Sequence, residues 1–119
     1  MSDTAEITAV IENYIAGGVA GDSNLMSKSF HDEATIHGVN ADGKSEGGPI
    51  RILFDAIEGA PAPGLTGVIG PVEVNSATAT ATAVLADWSG KDYTDQFTLL
   101  KVEGNWQILS KVYYDRANG

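Results

Sequence analysis

The stretch YTDQFTLLKVEGNWQILSKVYYD, residues 93–115, carries the clearest strand pattern in the sequence. Along most of its length, larger apolar side chains alternate with polar ones on both sides of Glu103-Gly104, a dipeptide suited to a tight turn. A period of two is typical of strands whose two faces meet different surroundings. We therefore predict an antiparallel hairpin with strands at residues 93–102 and 106–115.

Two further strands are predicted before this hairpin, at residues 65–74 and 77–88, with turns at Asn75-Ser76 and Ser89-Gly90. The Ala–Thr repeat of residues 77–83 fits a strand with threonine on one face and alanine on the other. A short strand is predicted between His31 and Val39, and residues 40–44 have the composition of a turn.

The N-terminal half is predicted to hold three helices. The first has one apolar stripe and a capping-box variant in which Asp3 is followed by Glu6. Asp22 is the predicted N-cap of a short second helix, and Pro49 suits the first turn of a third helix that Gly59 ends. Helices early in a chain and strands late in it favour the α+β class. We expect a single domain, residues 1–119.

Composition excludes several classes of function. The 119 residues carry a net charge of −9, and the seven Lys and Arg are scattered singly, which argues against nucleic acid and against anionic membrane surfaces. The chain has no cysteine, so thiolate catalysis and disulfides are excluded. The N-terminus lacks the pattern of a secretory signal, and no apolar run is long enough to span a membrane. We expect a cytoplasmic protein.

The order of elements resembles the nuclear transport factor 2-like superfamily, which has a cystatin-like fold, and within it the lumazine-binding and SnoaL-like groups. The resemblance rests on six segments spread along the chain: residues 12–16, 21–22, 30–34, 93–101, 104–108 and 111–113. It implies three N-terminal helices packed in the hollow of a curved, mainly antiparallel sheet, a cone with a central pocket. It also implies a homodimer formed through the outer face of the sheet. Because this fold supports many functions, the resemblance does not select one.

The register of the last hairpin decides which side chains face the hollow. A two-residue turn at Glu103-Gly104 places Leu99 opposite Ile108 and Phe97 opposite Ser110. The hollow face then also carries Tyr93, Asp95, Trp106, Val112 and Tyr114, and the outer face carries Thr98, Leu100, Val102, Leu109 and Tyr113. A bulge at the turn would instead bring Asp95 onto the face of Lys111.

Three residues are candidates for catalysis. Asp95 is unusual as a carboxylate within an apolar strand, and burial would raise its pKa toward that of a general base or a neutral donor. Tyr14 could polarise a carbonyl group, and His37 could act as an acid or base. For each residue a structural role remains open: packing, or a hydrogen bond to the backbone or to Lys111.

The candidate ligand-binding side chains are those predicted to line the pocket: Phe54, Trp88, Tyr93, Phe97, Ser110 and Tyr114. No metal site is predicted, because two histidines six residues apart, with Asp32 and Glu33 between them, are not expected to place three ligands around one ion. No cofactor is expected. Three functions stay open: a binding domain for a small apolar or aromatic molecule, an acid–base enzyme of the isomerase, dehydratase or cyclase kind that uses Asp95, and a dimerisation module with a filled cone.

Overall fold

The computed structural model describes residues 2–118 and shows an α+β architecture. Three helices, six strands and a final 3-10 helix follow in the order α1 Asp3–Ala20, α2 Ser23–Ser27, β1 Phe30–Val39, β2 Ser45–Pro49, α3 Arg51–Ile57, β3 Thr66–Asn75, β4 Thr78–Trp88, β5 Lys91–Val102, β6 Asn105–Asp115 and Arg116–Asn118. The predicted α+β class and the four C-terminal strands are confirmed. No helix within residues 2–118 combines the length and the apolar character needed to cross a membrane.

The six strands form one sheet in the order β2-β1-β6-β5-β4-β3. All neighbouring strands are antiparallel except β1 and β6, which run parallel. Between these two strands the chain passes through β2, the helix α3 and the strands β3, β4 and β5. Strand β6 therefore lies in the middle of the sheet, between the N-terminal and C-terminal parts of the chain.

Helix α1 packs on one face of the sheet with Ile7, Ile11 and Tyr14 fully buried. Its close approach to α2 depends on Gly17, where an added Cβ would lie 2.6 Å from the Cβ of Met26. Gly21 ends the helix in the left-handed conformation, with φ 63°.

The start of α1 differs from the prediction. Ser2 is the N-cap and accepts a hydrogen bond from the backbone N–H of Ala5 over 3.1 Å. Asp3 instead accepts hydrogen bonds from Trp106 Nε1 and Lys101 Nζ, both at 3.0 Å, and these bonds lower the pKa of its carboxyl group. Asp3 thus ties α1 to the β5–β6 hairpin, whereas Asp22 caps α2 as predicted.

Strand β2 was not predicted, and α3 begins later than expected, at Arg51. Gly47 and Gly48 have φ of 152° and 153°, values that favour glycine, and they pair with His37 and Ile36. Sequence patterns for strands rely on β-branched and aromatic residues, which Ser45–Pro49 does not contain.

The register of the β5–β6 hairpin changes within the strands. Near the turn, Leu99 lies opposite Ile108, as predicted, but Thr98 lies opposite Ser110, so Leu109 is an extra residue in β6. This β-bulge puts Lys111 opposite Phe97 and Tyr113 opposite Asp95. The prediction that Ser110, Val112 and Tyr114 face the helices, and that Tyr113 faces outward, is therefore wrong, because one inserted residue exchanges the two faces of a strand.

Candidate functional site

A cavity of about 330 Å³ lies between α3 and the helix-facing side of the sheet. Its lining is mostly apolar and aromatic, with a lysine and a glutamate among it. The lining residues are Ile36, Glu46, Ile52, Leu53, Ala56, Ile57, Ala60, Trp88, Ser89, Tyr93, Lys111 and Tyr113.

Lys111 connects this cavity to a buried polar cluster. Its Nζ lies 3.2 Å from Asp95 Oδ1, and the hydroxyl of Tyr14 donates a hydrogen bond to Asp95 Oδ2 over 2.6 Å. Tyr14 and Asp95 are 0% exposed and Lys111 is 4% exposed. The three side chains come from α1, β5 and β6, so this cluster holds the first helix against the centre of the sheet.

The electrostatics of the cluster are set by burial. Burial lowers the pKa of Lys111 because it penalises the ammonium form, and the nearby Asp95 carboxylate opposes this only in part. Burial and the negative charge of Asp95 both raise the pKa of Tyr14, so the phenol keeps its proton and remains a donor. Within residues 2–118, no hydrogen bond of regular geometry reaches Asp95 Oδ1, and its charged neighbour is Lys111 Nζ at 3.2 Å.

Tyr113 and Glu46 form a second polar pair on the cavity wall. The Tyr113 hydroxyl donates to Glu46 Oε2, and Asn40 Nδ2 donates to Glu46 Oε1 over 2.9 Å. The bond from Tyr113, followed by that from Asn40, lowers the pKa of Glu46 and keeps it a carboxylate. Gly38 makes room for this arrangement, since an added Cβ there would lie 2.5 Å from the Tyr113 ring.

Aromatic rings surround the lysine. The centre of the Tyr113 ring lies 4.8 Å from Lys111 Nζ, and that of Tyr14 lies 5.7 Å from it, distances suited to a cation–π contact. Tyr93 packs edge-on against both Tyr113 and Trp88, with ring centres 5.7 and 6.5 Å apart. Trp88, Tyr93 and Tyr113 thus form a continuous aromatic wall of the cavity.

The structure brings some of the predicted site residues together and separates others. Asp95 and Tyr14 are in direct contact, and Trp88 and Tyr93 line the cavity. Phe97 is buried and packs edge-on against Tyr14, beneath the cluster and not on the cavity wall.

Four other predicted site residues lie away from both this cavity and the polar cluster. His37 is exposed on the opposite face of β1 from Ile36. Ser110 and Tyr114 lie on the outer face of the sheet because of the bulge at Leu109. Phe54 packs against Phe30, with ring centres 5.6 Å apart, and lines a separate depression beside His31.

Sequence reasoning named Lys111 only as a possible partner of Asp95, placed Tyr113 on the outer face of the sheet, and assigned no role to Glu46. A lysine in the middle of a sheet was a usable signal, since a charged side chain is costly at a buried strand position unless it is paired. Glu46 belongs to the strand that was not predicted. No group of three or more His, Asp or Glu side chains suited to a metal ion occurs among the described residues.

Comparison with known proteins agrees with the fold. The chain is similar to a nuclear transport factor 2-like protein of unknown function from Shewanella baltica OS155, with 39% identity, a TM-score of 0.89, and coverage of 95% of this chain and 93% of that chain. A second such protein of unknown function, from Methylobacillus flagellatus KT, is 32% identical with a TM-score of 0.88, covering 95% and 91%. The α+β fold and these similarities define a nuclear transport factor 2-like protein.

The particular family follows from a family model. The model described as "Putative lumazine-binding" matches residues 2–114, so the chain belongs to that family. A relative named aldolase FrzH, from Cladobotryum sp, is 30% identical over 116 residues, which cover 93% of this chain and 92% of the relative.

The contact between Asp95 and Lys111 gives a first prediction about stability. We expect Asp95→Asn and Lys111→Met each to lower the free energy of unfolding by about 3–5 kcal/mol, because each leaves a buried charged partner uncompensated. The double variant should lose less than the sum of the two. Urea unfolding of the four proteins measures the coupling between the two side chains.

The exposed pair Arg51 and Asp55 is a matched control. Its side chains are 3.8 Å apart and more than two-thirds exposed, so Arg51→Met and Asp55→Asn should show a coupling of about 0–1 kcal/mol. Strictly additive effects for Asp95 and Lys111 would contradict the buried pair.

Proposed function

We propose that this chain is an enzyme that binds a small, mostly apolar or aromatic carbonyl compound and moves a proton at the carbon next to its carbonyl group. The observation that carries this proposal is the position of Lys111, which lines the cavity while its Nζ lies 3.2 Å from the buried Asp95. A dimerisation module needs neither an open cavity nor an amine within it.

The cavity suits a small ligand of this class. Its volume of about 330 Å³ is at the lower end of the range for small-molecule sites, and apolar side chains with few polar groups are typical of such sites. Trp88, Tyr93 and Tyr113 offer ring faces and edges to an aromatic or cyclic ligand. Lys111 and Glu46 supply the polar groups that would orient it.

Lys111 and Glu46 have different roles in the proposed proton transfer. A carbonyl oxygen directed at Lys111 would accept a hydrogen bond from Nζ, and that bond would strengthen as negative charge develops on the oxygen. Glu46, kept ionised by Tyr113 and Asn40, is the carboxylate on the cavity wall that can accept the proton from carbon. Asp95 and Tyr14 do not line the cavity, so they act by holding the amine in place.

The relative named an aldolase supports this reaction class. An aldol addition begins when a carbon next to a carbonyl group loses a proton, and the resulting enolate attacks a second carbonyl carbon. The likeness spans 93% of this chain. The family description favours a second candidate, a protein that binds an aromatic ligand of the lumazine type without changing it. Such a protein would use the same aromatic wall and would not need the lysine.

Exchange of carbon-bound hydrogen tests the proposal. In D₂O, the unmodified chain should accelerate loss of the proton signal next to the carbonyl group of phenylacetone, cyclohexanone or phenylacetaldehyde, followed by NMR. Lys111→Met should lower that rate by about 10²-fold or more, the usual contribution of one acid–base group. Lys28→Met, at an exposed lysine, is the matched control and should exchange at the rate of the unmodified chain.

Two outcomes would refute an acid–base enzyme. One is no acceleration with any of the three compounds, and the other is full activity in Lys111→Met. If these compounds or a lumazine still raise the melting temperature, the cavity would belong to a binding protein.

We further propose that two chains associate through the outer face of the sheet. This face carries partly exposed apolar side chains, at Val84 on β4 and at Val112 and Tyr114 on β6, the two strands on either side of β5. Exposed apolar patches on a sheet are typical of contact surfaces between proteins. The side chains around them on the same face are small, at Thr82, Thr94 and Ser110, which would allow a second copy of the chain to approach closely.

Sedimentation velocity measures this association. The unmodified chain should sediment as a dimer, and Val112→Glu should sediment as a monomer because it places a carboxylate in the contact. Ala16→Glu makes the same change on the exposed surface of α1 and should leave the dimer intact. A monomeric unmodified chain, or a dimer that Val112→Glu does not affect, would show that the face has another purpose.

A further inference from the structure

Lys111 differs from the other four lysines of the chain in its surroundings. Lys28, Lys44 and Lys91 are exposed, and Lys101 is half-buried and bonded to Asp3. Lys111 alone among these five lysines is buried, at 4% exposure, and it lines the cavity. An amine held in an apolar cavity is a nucleophile as well as a hydrogen-bond donor.

The amine is prepared for attack by three features. Burial lowers its pKa, which increases the share of the neutral form that carries a lone pair. The Asp95 carboxylate, whose Oδ1 lies 3.2 Å from Nζ, accepts hydrogen from the amine and so does not engage the lone pair of its neutral form. The side chain is held between the rings of Tyr14 and Tyr113, which limits its motion.

We propose that Lys111 Nζ forms a covalent imine with an aldehyde or ketone bound in the cavity. This inference rests on the proposed function, because it specifies how Lys111 activates the carbonyl compound. The substrate class is then a ketone or aldehyde small enough for about 330 Å³, with an apolar or aromatic remainder.

The step is balanced without an oxidant or reductant. The Nζ lone pair forms a bond to the carbonyl carbon, and the carbonyl oxygen takes up a proton that nitrogen releases, which gives a carbinolamine. Protonation of its hydroxyl group and departure of water leave a protonated imine. Loss of a proton from the adjacent carbon to a base gives an enamine, whose carbon can attack a second carbonyl group. Addition of water afterwards releases the product and restores the amine.

The surroundings of Lys111 stabilise the cation in this sequence. A protonated imine at Nζ carries its positive charge where the ammonium stood, beside the Asp95 carboxylate and over the Tyr113 ring. Tyr14 keeps Asp95 in position through its 2.6 Å hydrogen bond. The same cluster that would balance an ammonium ion therefore balances the iminium ion.

Reductive trapping tests the inference in the unmodified chain. The protein is mixed with benzaldehyde, which has no proton on the carbon next to its carbonyl group and so stops at the imine, and sodium cyanoborohydride converts that imine into a stable amine. Intact mass spectrometry should show one benzyl group added first, and peptide mapping should place it on Lys111. The rate at Lys111 should exceed that at the exposed Lys28 by about ten-fold or more, because burial lowers the pKa of Lys111 and so increases its share of neutral amine.

The variant Lys111→Arg separates the imine from a purely electrostatic role. Arginine keeps the positive charge but does not form an imine, so the variant should lose both the rapid adduct and hydrogen exchange with the ketones. Retention of a substantial part of the exchange in Lys111→Arg would overturn the inference. Circular dichroism and urea unfolding check that the variant is folded, and the trapping of the unmodified chain does not depend on it.

The two assays distinguish failure of the imine from failure of the proposed function. Exchange without a rapid adduct at Lys111 would overturn the imine and leave an acid–base enzyme that works through an enolate. A rapid adduct without exchange would support the imine and remove the proton-transfer function. Modification of Lys111 no faster than that of Lys28, together with no exchange, would refute both.

Discussion

The burial of a lysine and an aspartate beside each other constrains the rest of this structure. Removing such charged groups from water costs several kcal/mol for each ion, so their positions must be well defined by the surrounding fold. Lys111 and Asp95 lie on the central strands β6 and β5, and the Tyr14 hydroxyl from α1 completes the cluster. The docking of α1, the register of the last hairpin and the floor of the cavity therefore depend on one another.

The β-bulge at Leu109 is the local feature that brings the residues of this cluster together. It shifts the register so that Lys111 and Tyr113 share a face with Asp95, and Gly38 on the adjacent strand β1 leaves room for the Tyr113 ring. Tyr113 in turn holds Glu46 on β2. Glu46 thus comes from β2, and Lys111 and Tyr113 come from β6, the two strands on either side of β1. Bulges are often found where a sheet must redirect a side chain at a site.

The sequence predicted the class of fold and identified two of the three residues of the cluster, Tyr14 and Asp95, for physical reasons. Period-two alternation and turn residues located the four C-terminal strands, and a carboxylate within an apolar strand identified Asp95. The face of Lys111 could not be predicted, because Leu109 does not adopt the positive φ that would require glycine at the bulge. Strand β2 was missed because Ser45–Pro49 lacks strand-forming residues, and with it the role of Glu46. The exposure of His37 could have been predicted. His37 follows Ile36 on the same strand and points to the other face, so it faces away from the core when Ile36 is buried.

Both the fold and the proposed chemistry depend on the burial of Lys111 beside Asp95. NMR titration of the lysine side chains tests this burial. In protein carrying ¹³C at the lysine ε-carbons, the ε-carbon signal assigned to Lys111 through Lys111→Met should titrate with a pKa below the ordinary value of 10.5. The direction follows because burial disfavours the ammonium form more than the Asp95 carboxylate favours it. A Lys111 signal that titrates at or above 10.5 would contradict the buried cluster on which the fold and the proposed chemistry both rest.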